Sequence, residues 1–249
     1  MPQLTTPAVP EIYRGVWVRT LLKTPTLHDD TTLVHWLQTA HCHADLRVPP
    51  GPRQTPTQLA EQQGFSGITT VETLNGSEVC TWHREIDYQP PRGTPDTGSM
   101  RFEGPDRLIE DGIHSTYHEV WERLPGSAGR FIALHSESGA RLLVAGRYLM
   151  HLRPRAMPWP ADTGAADSLA SLVVRHPDQA AGLLDFEISF GEWAAGRWTV
   201  QHSTLPALEG STHACTITRQ ADHTAEVRGP WDEARWRVLD WEGEAPPGT

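Results

Sequence analysis

The feature that most constrains this chain is its punctuation. Gly and Pro each occur 21 times in 249 residues, and between them run short stretches in which apolar and polar residues alternate. Pro and Gly stop a helix before it can bury a long stripe. Strands of about 4–8 residues joined by tight turns fit the same spacing. The alternation predicts roughly fourteen strands, with a first strand over 14–22 and a hairpin turn at Asn75-Gly76. Helices are confined to two places. One is predicted over 57–64, with Thr57 as N-cap and Gly64 as its stop, and 168–175 reads either as a helix capped by Ser168 or as a further strand.

At this length the expectation is one to two domains, burying roughly 70% of the unfolded surface without help from disulfides. The three cysteines, Cys42, Cys80 and Cys215, are an odd number with no short spacing. They predict reduced thiols and a cytoplasmic setting. The first eleven residues lack a basic, then apolar, pattern, so no signal peptide is expected, and no apolar run is long enough to predict a membrane span. The net charge of −10 argues against a phosphate-binding partner, so no nucleic acid is expected. Phosphate-loop, nucleophile-elbow and His-Glu-x-x-His signatures are all missing from the sequence. Only Lys23 is a lysine; the other basic residues are arginines, and ten tryptophans are available for guanidinium stacking.

Gly15-Val16-Trp17, at the start of the first strand, resembles the opening of the lipocalin and calycin superfamily. There a Gly-x-Trp plugs one barrel end and an Arg from a late strand packs on the indole. Arg123 and Arg147 are the two candidates for that arginine. Gly146-Arg147-Tyr148 repeats the Gly-x-aromatic pattern and reads as the opening of a second, similar half. A longer resemblance is to the fungal HRI-type protein family, built of tandem lipocalin-like barrels. It is carried by Glu119-Val120-Trp121, by the apolar run Arg141 to Leu149 through Gly146-Arg147-Tyr148, and by Phe186-Glu187-Ile188-Ser189-Phe190-Gly191-Glu192. The family implies a fold and transfers no catalytic residues. The expected architecture is therefore all-β: two tandem lipocalin-like antiparallel barrels, over 12–140 and 141–242, with one or two short helices.

Several strand faces mix aromatic and charged residues. Trp82, Arg84, Ile86 and Tyr88 share one face by alternation, and Tyr117, Glu119, Trp121 and Arg123 share another. A purely structural inner face would be aliphatic, so these faces read either as a polar-lined pocket or as surface arginines covering indoles. The predicted ligand contacts are Trp17, Arg19, Trp82, Arg84, Tyr88, Glu119, Trp121 and Arg123. Glu85, Asp87 and Glu119 are the candidates for proton transfer if the protein is an enzyme. His41, His43 and Asp45 form the most metal-like local set, with an ordinary polar strand edge as the alternative. His43, His83 and His151 are lone histidines of the kind that can ligate haem, but no Cys-x-x-Cys-His is present and no cofactor is expected.

The leading expectation is binding of a small apolar or amphipathic molecule in the first barrel, with Arg and Glu reading its polar end. One alternative is a cofactor-free isomerase, cyclase or hydratase working by carboxylate proton transfer. Another is an interaction module with filled barrels and a protein partner.

Overall fold

The computed structural model describes residues 6–91, 93–231 and 235–243; the sequence tails at 1–5 and 244–249 lie outside the described residues. The first sheet holds β1 (Gly15–Lys23), the short β2 (His28–Asp29), β3 (Leu33–Gln38), β4 (Cys42–Val48), β5 (Gln63–Leu74), β6 (Ser77–Asp87), β7 (Asp96–Phe102), β8 (Arg107–Gly112) and β9 (His118–Arg123). The short β2 lies at an edge beside β1, β1 pairs on with β3, and the order then follows the chain to β9. All neighbours are antiparallel, and β9 returns to pair with β1, so the sheet closes. The second sheet holds β10 (Phe131–His135), β11 (Arg141–Ala145), β12 (Tyr148–Arg153), β13 (Glu187–Ala194), β14 (Arg197–Ser203), β15 (Thr212–Ala214), β16 (Thr216–Arg219), β17 (Thr224–Arg228) and β18 (Arg235–Glu242). Here β10 pairs with β18, and the two sheet ends, β15 and β16, are separated in the chain by Cys215 alone. The chain itself spans the remaining gap. The protein is thus all-β, with two barrel-like antiparallel sheets in tandem and a few short helices.

Three local readings of the sequence are corrected. The change of sheet falls between Arg123 and Phe131, not at 140/141, because β10 pairs with β11 and β18. The run through Gly146 is not one strand: Gly146 has φ +57° and turns β11 into β12, and a Cβ there would lie 2.0 Å from the Gly126 carbonyl oxygen. The helix predicted over 57–64 is α1 (Pro56–Ala60), starting one residue earlier and ending about one turn sooner. Its cap is Thr55, whose hydroxyl accepts from Gln58 N in a capping box with Pro56 at the first position. Ser168 does cap a helix, α2 (Leu169–Arg175), and a third, α3 (Ala180–Leu184), follows.

The largest apolar cluster lies between the barrels rather than inside either one. Alternation along β4 sends His43, Asp45 and Arg47 inward. It leaves Cys42, Ala44, Leu46 and Val48 on the outer face, where they join Leu143, Met150, Leu152, Ile188 and Phe190 of the second sheet, together with the helices. His35, buried on β3, stacks on Phe190 with ring centroids 4.2 Å apart. Polar groups pin the edges of this interface. His41 and Thr39 bind Asp240, Arg14 pairs with Glu242 at 2.7 Å, and buried Arg141 bonds Glu85 and Ser66.

Arg53 is the strongest of these pins in geometry. It donates to both Glu209 carboxylate oxygens at 2.7 and 2.8 Å and to the Ser203 carbonyl at 2.7 Å. Charge-assisted bidentate bonds of this kind are worth more than neutral ones. Arg53→Ala is expected to lower the unfolding free energy by about 1.5–3 kcal/mol, measured by urea titration. A loss near zero would show that the pin contributes nothing to holding the barrels together.

Candidate functional site

The interior of the first barrel is divided along its axis. At one end an aromatic column fills it. Trp17 is fully buried, its Nε1 donates to the Tyr13 carbonyl at 2.7 Å, and the Arg123 guanidinium lies 4.5 Å above its ring. Arg123 also donates to the carbonyls of Ile12, Arg14 and Pro105. The arginine that covers the Gly-x-Trp indole is therefore Arg123; Arg147 stands instead beside Tyr148 and Glu192. Trp36 carries the column inward, stacked on Trp17 at 6.4 Å and edge-on to Trp121 and Trp82 at 5.7 and 5.3 Å.

The other end is open. A cavity of about 1350 Å³ occupies it, and its wall includes Arg19, Arg47, Arg84, Trp82, Glu110 and Glu119. Ion pairs organise the charges. Arg19 bonds Glu119 at 2.7 Å and Asp29 at 3.1 Å. Arg47 holds Asp45 through Nε at 2.8 Å and the second nitrogen at 3.3 Å. Arg84 reaches Asp96 at 2.5 Å and Asp87 at 2.9 Å while its guanidinium lies 3.5 Å over the Phe65 ring. Phe65 thus acts as a shelf that fixes Arg84 from below.

Glu110 differs from these carboxylates. It is 4% exposed, and both its oxygens accept from neutral donors: the Tyr117 hydroxyl at 2.6 Å and Trp121 Nε1 at 3.1 Å. Burial, then the nearby Glu119 carboxylate, push its pKa well above the ordinary carboxylate value. Burial and the same Glu110 raise the Tyr117 phenol.

Of the residues proposed from the sequence, Arg19, Trp82, Arg84, Glu85, Asp87 and Glu119 all line this cavity. Trp121 stands behind the wall, in the barrel's apolar cluster, and reaches the site only through its bond to Glu110. Trp17 and Arg123 belong to the plugged end. Tyr88 is outside the barrel altogether, packed edge-on to Phe186 at 5.7 Å with its hydroxyl donating to the Leu59 carbonyl. The cause is a β-bulge. Ser66 pairs with Ile86 but Gly67 pairs with Arg84, so Glu85 is an extra residue and the alternation flips after it. Ile86 and Tyr88 turn outward and Asp87 turns in. Gly67 permits the bulge, since a Cβ there would lie 1.8 Å from the His83 carbonyl oxygen. A second bulge at Thr20 similarly brings Leu22 to the cavity.

The metal-like set does not assemble. His41 precedes β4 and binds Asp240 of the second barrel, His43 faces Thr69 inside the first, and Asp45 is held by Arg47. Among the described residues no group of three His, Cys, Asp or Glu side chains is placed to hold a metal ion. The lone histidines are engaged as well: His83 with Thr70, and His151 with Glu187 inside the second barrel.

The sequence reading missed Glu110, Arg47 and Asp96, and placed Tyr117 on a mixed strand face without counting it among the ligand contacts. A signal for the first was present, because Glu110 alternates with Leu108 and so lies on an inward face. It also missed a second aromatic plug. Tyr148, aligned with Trp17 by the Gly-x-aromatic pattern, faces the barrel interface and stacks on Phe190 at 5.6 Å. The buried indole under an arginine in the second barrel is Trp193 of Gly191-Glu192-Trp193, 5.5 Å from Arg130. Among known proteins, no family model, curated sequence or solved structure matches this chain.

Proposed function

We propose that the protein binds a small amphipathic organic molecule in the open end of its first barrel. The observation that carries this reading is the cavity of about 1350 Å³ with fixed, buried charged groups on its inner wall. Apolar contact is available from Trp82, Leu22, Leu27 and Trp159, and a few placed polar groups against an apolar body is the usual construction of a ligand site. The charged lining favours an amphipathic ligand over a wholly apolar one. A first barrel open to this extent also speaks against an interaction module with filled barrels. The three cysteines are buried and unpaired, which fits a reducing, cytoplasmic setting. Among the described residues no helix is long and apolar enough to cross a membrane.

Native mass spectrometry of protein purified from its own source, followed by denaturing extraction, tests the proposal. The expected result is a retained organic molecule in the wild type and its loss in Leu22→Trp, which fills the cavity mouth. A bare protein mass in both would count against tight binding.

A second reading, a cofactor-free enzyme, is favoured by the Glu110–Glu119 pair. One carboxylate is held by an arginine and its neighbour is buried without one, an arrangement that separates an acid from a base. An enzyme of this kind would lose turnover in Glu110→Gln while still retaining its bound molecule.

A further inference from the structure

We propose that Glu110 is the subsite for an organic ammonium group, so that the ligand of the first barrel is an amine. This rests on the reading of the cavity as a ligand site and adds the chemical class of what enters it. Among the described residues, seven carboxylates and three guanidiniums line the cavity. Each guanidinium is committed: Arg19 to Glu119 and Asp29, Arg47 to Asp45, and Arg84 to Asp87 and Asp96. Glu85 is met from outside by Arg141, and Glu61 lies exposed at the rim. Glu110 is the carboxyl left in the inner wall with neutral partners only.

The surroundings are shaped around that carboxyl. Diagonally beside it on β7 stands Gly98, where a Cβ would come within 2.6 Å of Glu110 Cγ and 2.7 Å of Oε1. Any larger residue would displace the carboxyl from the Tyr117 hydroxyl. An ionised carboxylate buried without a cation is costly, so the empty site favours the protonated acid. An ammonium group removes that cost. The balanced exchange is simple: the Glu110 carboxyl gives its proton to solvent and the carboxylate accepts hydrogen bonds from the ammonium. Tyr117 and Trp82 line the same cavity and offer ring faces to an organic cation. Glu119 adds attraction of the same sign. The titratable and charged groups that act on Glu110 are Glu119, Tyr117, Asp96, Arg47, Tyr13 and Cys80; of the two that carry opposing or phenolic character at its oxygens, Arg47 is held by Asp45 and Tyr117 donates to Glu110 itself.

The test uses a matched pair of fluorescent probes on the full chain: dansylcadaverine, a primary amine, and its neutral N-acetyl derivative. Fluorescence titration is expected to show the amine binding about tenfold tighter or more, the worth of a charge-assisted contact. Glu110→Gln, which keeps shape and one acceptor oxygen, is expected to bring the two probes within about threefold of each other. In the wild type the amine should bind more tightly as pH rises from mildly acidic to mildly alkaline, because the ligand competes with the Glu110 proton; the neutral probe should show a flat profile. That series needs no variant and stands if Glu110→Gln fails to fold. Equal affinity of the two probes for the wild type, or an amine preference that survives in Glu110→Gln, would overturn the assignment of Glu110 and leave the cavity as a binding site. Failure of both probes to bind would overturn the cavity reading itself.

Discussion

Trp17→Ala is expected to destabilise the protein by about 3–5 kcal/mol, the largest effect of any single truncation in the first barrel. The indole is fully buried, is hydrogen-bonded to Tyr13, and lies between Arg123 and Trp36 with Phe102 at 5.9 Å. The column it begins has no slack: Trp36 touches both Trp82 and Trp121, and a hole at Trp17 cannot collapse without moving them. Arg123→Ala removes the lid and leaves three backbone carbonyls without that donor. It is expected to cost about 2–3 kcal/mol. Because the two residues are in contact, the double variant should lose less than the sum of the singles. Urea unfolding with unchanged slope measures all three. A Trp17→Ala cost below about 1 kcal/mol would mean that the plugged end bears no structural weight.

Stability is expected to fall steeply on acidification, and two buried histidines, His35 and His43, are reasons for it. Burial, then the neighbouring His202, push the pKa of His35 from the ordinary value down to about 3. A depressed histidine is neutral in the folded chain while the unfolded chain takes up a proton. Its contribution is therefore present above the unfolded value of about 6.5 and is lost as pH falls toward 3, at up to about 1.4 kcal/mol per pH unit. His43 acts in the same direction, held neutral by burial and by the Arg141, Arg84 and His83 charges. His35→Phe is expected to flatten the pH dependence by roughly that slope. The exchange is mild sterically, since the ring already stacks on Phe190 and its Nδ1 finds no hydrogen-bond partner among the described residues. Denaturant unfolding at stepped pH measures the slope. An unchanged slope in His35→Phe would assign the acid sensitivity elsewhere.

Much of this architecture was legible from alternation and punctuation. Most strands of the first sheet, the Asn75-Gly76 turn and the shared faces of Trp17 with Arg19, Trp82 with Arg84 and Glu119 with Trp121 follow from period and turn chemistry. Period alone left open whether those faces point inward and whether Ser168 caps a helix. What alternation misses is its own interruptions. One extra residue at Glu85 sent Tyr88 out and Asp87 in, and no local property of Glu85 announces a bulge. Partners distant in sequence are equally hidden. Cys42, Ala44, Leu46 and Val48 form an apolar face on paper, but only the fold shows that the face covering it lies on β11, β12 and β13. His41 looks like a companion of His43 because residues two apart share a strand face, but His41 precedes β4 and turns to Asp240 instead. Glu110 was passed over because Glu119 and Asp87 lie closer to aromatic residues in the sequence.

That shared outer face has a consequence for how the chain is made. The first barrel can pair all its strands once Arg123 has left the ribosome. The wall that shelters Leu37, Leu46 and Val48 is not complete until Phe190 has been synthesised, and β10 lacks its second neighbour until β18 follows. During elongation a nearly finished barrel carries an unsheltered aliphatic wall, the kind of surface that draws nascent chains into aggregates or onto chaperones. The rate of translation through the residues between Arg123 and Phe190 sets how long that wall stays bare.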